Sequence, residues 1–262
     1  MSHLILATND RAESRLRQTR LANVVLGLYP RFVWRKLPSE ERLLTGLERR
    51  SAKHCNPGDH WLDDVCRGSL EGFGTRDVGL FELCAKFDSI EIWVDPLPND
   101  QLVLVWLLDL LRPYKEITTK LSLVHTDDKV ANYAPESVAK WKLPAFKVTD
   151  NHLVAASRAW RAHRAETPES CFDLLMTDLA ILPRLRSALV AVLEASGQRD
   201  GTRCQRNGSA GFCERQAHRP EARLRGELAS RCVRRKRRER CLARTGGIFV
   251  AAGAVGRSVV RQ

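Results

Sequence analysis

Residues 89–112 read SIEIWVDPLPNDQLVLVWLLDLLR, and this stretch decides the fold class. Residues 89–94 are β-rich and alternate, which predicts a strand. The turn residues of 95–99 break it. Residues 100–112 are apolar on nearly all sides, as a helix buried against a sheet would be. Pro113 closes the unit, and 120–125 (KLSLVH) reads as the next strand, ended by Thr126, Asp127 and Asp128.

Working toward the N-terminus, residues 3–8 (HLILAT) predict a buried strand. Asp10 with Glu13 three residues later has the form of a capping box, opening a helix over 11–21. Residues 23–28 predict a second strand, 40–50 a helix behind Pro38 and Ser39, and 77–87 another. Working toward the C-terminus, helices are expected at 135–141 and 151–164. Two more open behind Thr167-Pro168 and Pro183, the last running to about Ser196. Strand and helix alternate through short connections. The fold class predicted is therefore α/β: a Rossmann-like parallel sheet with flanking helices over 1–149, followed by an α-helical annex over 150–196.

Two segments carry a resemblance: HLILATNDRAESRLRQ at 3–18 and IEIWVDPLPNDQLVLVWLLDLL at 90–111. Together they make residues 3–128 similar to the bacterial domain of unknown function 1835 family. Its members open with a strand, a small-residue loop and a helix, and carry a later strand ending in Trp-Val. Many have Gly-Asp-Ser where this chain has Thr8, Asn9 and Asp10. The resemblance implies the α/β fold and a second helical domain, and it implies no activity. Nothing in 197–262 resembles that second domain.

Composition breaks near Ser196. Of the 43 basic and 31 acidic residues, 17 and 5 lie in 197–262, leaving 26 of each before it. The whole net charge of +12 therefore belongs to the last quarter. The neutral body gives no reason to expect nucleic acid or an anionic membrane as partner. Its opening apolar run is too short for a secretory signal, and 102–111 is interrupted by Asp109. A cytoplasmic protein with reduced thiols at Cys55, Cys66, Cys84 and Cys171 is expected.

The tail, 197–262, has sixteen Arg but one Lys, four Cys, nine Gly, and no Trp, Tyr or Met. Three readings are open. Residues 231–240 (RCVRRKRRER) could form a basic arm that binds nucleic acid, if the tail is genuine. The tail could be disordered and solvated. Or it could be an out-of-frame translation, since 245–255 can be back-translated so that the +1 frame reads as an amphipathic helix. The last reading joins the Arg/Lys imbalance, the loss of periodicity and the missing second domain. Zinc finds little support, because Cys204, Cys213, Cys232 and Cys241 lack paired spacing.

The candidate site lies where the predicted strands end. Thr8, Asn9 and Asp10 follow the first, Asp95 the third, and His125, Thr126, Asp127 and Asp128 the fourth. In open α/β sheets, ligands bind at this edge, near a topological switch point. Carboxylates with a Thr there could hold Mg²⁺ and a phosphate. A small phosphorylated or nucleotide-like ligand is the function expected. The same residue types are also ordinary N-cap and turn residues. A non-catalytic interaction module, with the annex as partner surface, is the alternative.

A second group, His54, Cys55, Asp59, His60, Asp63, Asp64 and Cys66, has ligand types that suit a transition metal. It has no metal motif, and a polar helix burying Trp61, Leu62 and Val65 is the reading preferred. Ser69 and Ser122 lack a nucleophile-elbow context, and no dinucleotide or P-loop glycine motif is present. Cys84, Cys171, Trp93, Trp106, Trp141 and Trp160 are read as packing residues, and His152 and His163 as helix-surface or packing residues.

Overall fold

The computed structural model describes residues 1–33, 37–63 and 77–205, with the backbone alone over 196–205. Contacts divide the chain into Met1–Gly201 and Thr202–Gln262, and the sheet with the helices packed on it belongs to the first unit. The basic run, Cys213, Cys232, Cys241 and the out-of-frame segment lie outside the described residues, as do Asp64, Val65, Cys66 and Ser69.

Five strands form one mixed sheet in the order β2-β1-β3-β4-β5. They are β1 (His3–Ala7), β2 (Val24–Gly27), β3 (Ser89–Val94), β4 (Leu121–His125) and β5 (Phe146–Lys147). The first four are parallel, and β5 pairs antiparallel with β4. The all-parallel expectation is corrected there. An exposed two-residue edge strand has no periodicity for a sequence to display.

The strands read as continuous apolar runs because both faces of the sheet are covered. Leu4, Leu6, Ile90, Ile92, Leu121 and Leu123 belong to the larger core cluster. Ile5, Ala7, Val25, Trp93 and Val124 belong to the smaller one on the opposite face. Helix α1 (Asp10–Thr19) covers the smaller face with Ala12 and Leu16, joined by Val138 of α6 (Pro135–Val138). Helix α4 (Pro98–Leu111) covers the larger face. The β1-α1-β2 and β3-α4-β4 connections step toward opposite edges, and their helices lie on opposite faces, as crossovers of one hand require.

Every residue of α4 from Asp100 to Leu108 is buried. Its outer side is covered by α7 (Asp150–Arg164), through Leu153, Ala156, Ala159 and Trp160. Phe32 wedges between Trp106 and Trp160, with ring centroids 5.6 and 4.8 Å away. The helices expected beyond residue 150 therefore form a layer on α4. They continue in α8 (Glu169–Leu175) and α9 (Leu185–Gln205), which runs nine residues past Ser196.

The β2-to-β3 crossover holds α2 (Glu40–Thr45), a 3-10 turn at Trp61–Asp63 and α3 (Leu80–Ala85). Both helices are shorter than the sequence suggests, because loop contacts replace helical turns at their ends. The Leu80 amide donates to the Leu47 carbonyl at 2.8 Å, and the Trp61 indole donates to the Val78 carbonyl at 3.1 Å. One further short helix, α5 (Lys115–Thr118), precedes β4.

Leu104 is 0 % exposed, and its replacement by Ala leaves a cavity between the sheet and α7. Leu104→Ala is expected to lower the urea-unfolding free energy by about 2–5 kcal/mol. Exposed Arg112→Ala, at the end of the same helix, should change it by less than about 0.5 kcal/mol.

Candidate functional site

The carboxyl ends of β1, β3 and β4 stand side by side, with Ala7 opposite Trp93 and Val94 opposite His125. Strand order reverses about β1, with β2 on one side and β3 on the other. The crevice between β1 and β3 is thus the switch point of the sheet. Helices α1 and α4 both begin there.

Asn9 is the N-cap of α1, its carboxamide oxygen accepting from the Ala12 amide at 2.7 Å. The cap lies one residue earlier than the sequence pattern suggests. Asp10 is then the first helical residue and is exposed. Glu13 does not reach back as a capping-box partner; it is buried and pairs with Arg17. Burial pushes the Glu13 carboxyl up from its ordinary value, with Arg17 opposing.

Capping uses the oxygen of Asn9 and leaves its NH₂ to donate twice. Asn9 Nδ2 donates to Asp95 Oδ2 at 3.1 Å and to Asp100 Oδ2 at 2.6 Å. Asp95 is 2 % exposed and follows β3. Its Oδ1 accepts from the Thr126 hydroxyl at 3.1 Å and the Val130 amide at 3.2 Å. Its backbone carbonyl accepts from Gln101 Nε2 at 3.0 Å. Gln101 Oε1 is buried and has no hydrogen-bond partner. Thr8 is buried, and its hydroxyl donates to the Trp93 carbonyl at 3.4 Å. It also bonds the Asp100 carboxyl.

Burial pushes the Asp100 carboxyl up to about 7, opposed by the Asn9 bond and reinforced by the charges of Asp95 and Asp10. Asp95 is also raised, mainly by burial, while its bonds from Val130, Asn9 and Thr126 pull the other way. Near neutrality Asp100 exchanges between acid and carboxylate, so the pair does not carry two full charges.

Of the sequence-derived candidates, the structure brings Thr8, Asn9, Asp95 and Thr126 into one network. Asp127 and Asp128 do not join it. Asp127 is exposed and pairs with Arg184 at 2.6 Å. Asp128 accepts from its own loop: Asn132 at 3.1 Å, Tyr133 at 3.2 Å and the Lys129 amide at 2.7 Å. These bonds hold the Asp128 carboxyl below its ordinary value. His125 Nδ1 is buried without a hydrogen-bond partner, and burial, then Arg184 and His152, pushes the ring below its ordinary value.

A magnesium ion needs carboxylate oxygens that face it with their lone pairs. Here both Asp95 oxygens and Asp100 Oδ2 already accept from protein donors. Of the carboxylates expected for Mg²⁺, Asp10 is exposed, Asp127 pairs with Arg184 and Asp128 accepts from its own loop, so the expected set does not assemble. Among the described residues, no group of three or more His, Cys, Asp or Glu is placed to hold a metal.

Asp100 and Gln101 were missed in the sequence. Taking the helix to begin at residue 100 makes Asp100 a cap. In the structure Pro98 is the first helical residue, so Asp100 lies inside the first turn and faces the β1 loop. The available signal was a charged and an amide side chain opening an otherwise apolar helix. Asn99 adds a clamp, accepting from the Phe32 amide at 2.8 Å and donating to the Pro30 carbonyl at 3.0 Å.

Comparison with protein-family models and with curated proteins found no match to this chain.

The sign of the Asp100 effect follows from proton counting. The folded carboxyl titrates near 7 and the unfolded one near 3.8, so between these values only the folded state holds the proton. Stability contributed at Asp100 is full below the lower value and falls as pH rises toward 7. Asp100→Asn removes this loss and can still accept from Asn9. Between pH 5 and pH 8 the variant should gain about 3 kcal/mol relative to the wild type in urea unfolding. A difference that stays constant across that range would show that Asp100 titrates normally.

Proposed function

We propose that this chain binds a small phosphorylated or nucleotide-like ligand at the crevice between the carboxyl ends of β1 and β3. One observation carries the reading. Asn9, Asp95, Asp100 and Thr126, from four separate segments, converge at the sheet's switch point beneath the start of α1. Taken as a doubly wound, Rossmann-like unit, the four parallel strands put a ligand at that edge. The ten-residue α1 supplies backbone N–H groups and the positive end of its dipole for a phosphoryl group. The buried network gives the loops a rigid base, and half-buried Asn9 and exposed Asp10 form its outer surface. No catalytic role is assigned to these residues. The same reading takes residues 3–128 as a relative of the domain of unknown function 1835 family, in a cytoplasmic setting. Among the described residues, no helix is long and apolar enough to cross a membrane.

A second reading has its own observation. On the helical annex Phe172 and Met176 are 54 % and 88 % exposed, one turn apart on and just after α8. Beside them Arg158, Arg161, Ser170, Asp173 and Thr177 line a groove of about 400 Å³ between α7 and α8. An apolar pair beside a mixed polar groove suits a protein partner.

Thermal unfolding of the full chain with nucleotides, sugar phosphates and inorganic phosphate separates the two. A ligand at 100 times its Kd adds about 2.7 kcal/mol to the folded state. The expected result is a raised Tm with at least one phosphorylated compound, lost in Asn9→Ala and kept in Arg158→Ala. No shift across the panel, or a shift lost only in Arg158→Ala, would remove the crevice reading.

A further inference from the structure

The β2-to-β3 crossover contains a histidine pair that the ligand site does not use. His54 and His60 are 9 % and 1 % exposed, and their rings meet edge to face at 4.8 Å. Each ring stitches the loop back onto the end of α2. His54 Nε2 lies 2.7 Å from the Thr45 carbonyl, and His60 Nε2 lies 2.8 Å from the Glu48 carbonyl. A nitrogen against a carbonyl must carry the proton. The other nitrogens accept: the Ser51 amide donates to His54 Nδ1 at 3.0 Å, and the Leu62 amide to His60 Nδ1 at 3.2 Å. Each ring therefore carries a proton on Nε2, and at His60, whose Nδ1 accepts from the Leu62 amide, this is the neutral Nε2–H tautomer.

We propose that His60 is an acid-sensing pin that releases the segment 46–63 from the body of the fold when it is protonated. A second proton would have to enter at Nδ1, directly against the Leu62 N–H. Two donors would then face each other in a site closed to water, so the Leu62 bond must break. At His54 the Ser51 carbonyl and hydroxyl lie 3.3 and 3.4 Å from Nδ1, oxygen neighbours that His60 Nδ1 lacks. His60 is thus the sharper of the two.

Among the described residues, Arg50 and Asp63 face His60 and Asp59 faces His54, with Arg42 of α2 beside Asp59. Arg50 opposes a further positive charge on His60, as does His54 whenever it carries one, while Asp63 favours one. Asp63 is already engaged by Arg50 at 2.6 Å and by the Gly58 and His60 amides at 2.9 and 3.2 Å. Burial dominates and lowers the His60 value below 6.5. Stability from the neutral ring is therefore full above 6.5 and is lost as pH falls through the folded value. Release uncovers the contacts that Leu47 and Trp61 make with Leu80 and Val78, while the sheet and α4 keep their own.

Hydrogen exchange of the full chain at pH 7.5 and 5.0, corrected for intrinsic rates, tests this. Opening of 46–63 should rise by up to about tenfold per pH unit as pH falls from 6.5 toward the folded value, and level off below it, while α4 stays protected. In His60→Gln, which keeps a donor for the Glu48 carbonyl and cannot titrate, the rise should disappear. Corrected exchange equal at the two pH values, or a rise that persists in His60→Gln, overturns the proposal. Ring ¹⁵N shifts of the wild type near pH 7.5 give a second check that needs no substitution. They should report a neutral Nε2–H tautomer at His60, and a Nδ1–H tautomer or an imidazolium would equally overturn it.

Discussion

One carboxamide donates both its hydrogens to two buried carboxyl groups, and the carboxyl edge of the sheet is organised around it. Asn9 ends the β1 loop, starts α1 with its oxygen, and reaches the Asp95 and Asp100 carboxyls with its nitrogen. Buried carboxyls are costly unless hydrogen-bonded, and the cost rises when two share a site. Asn9 satisfies both without adding charge. An Asp at this position would bring a third carboxylate, and a Ser could not span the two. The start of α1, the end of β3 and the first turn of α4 are therefore positioned by one side chain.

The same constraint explains the electrostatics of the crevice. Thr126 and Val130 complete the shell of Asp95, and Thr8 contributes to that of Asp100. A carboxyl that is protonated near neutrality removes much of the repulsion that would exclude an anion. The first turn of α1 is then the dominant nearby dipole, and it favours negative charge. The groove on the annex differs in kind, with open arginines and a pair of exposed apolar side chains rather than a buried network.

Particular elements show why some of the fold was legible. SIEIWV became β3 over the same residues, with Ile90, Ile92, Trp93 and Val94 buried while Ser89 and Glu91 stay half-exposed, which is the alternation visible in the sequence. The apolar run after it became α4, and its lack of a polar face is explained by α7 on its outer side. The ends were less legible. Helix α1 is capped by Asn9 rather than Asp10, and α4 starts at Pro98 rather than Asp100. Both are cap choices between adjacent competent residues, which neighbouring loops decide. The edge strand β5 carried no signal, since two exposed residues bury nothing. His54 and His60 were visible as a polar cluster, but their work as carbonyl-bonded stitches depends on where α2 ends.

By itself the sequence determined the element types and the two-faced burial of the strands. Those properties follow from local periodicity and from the cost of exposing apolar surface. It also placed the polar residues Thr8, Asn9, Asp95 and Thr126 at strand ends, where turns require them. Only the tertiary structure decided which of these meet. Strand order put β1 beside β3 and so joined Asn9 to Asp95. The start of α4 at Pro98 turned Asp100 inward. The loop after β4 closed on itself and took Asp127 and Asp128 away from the others. Convergence of side chains distant in sequence is set by packing, and no local pattern encodes it.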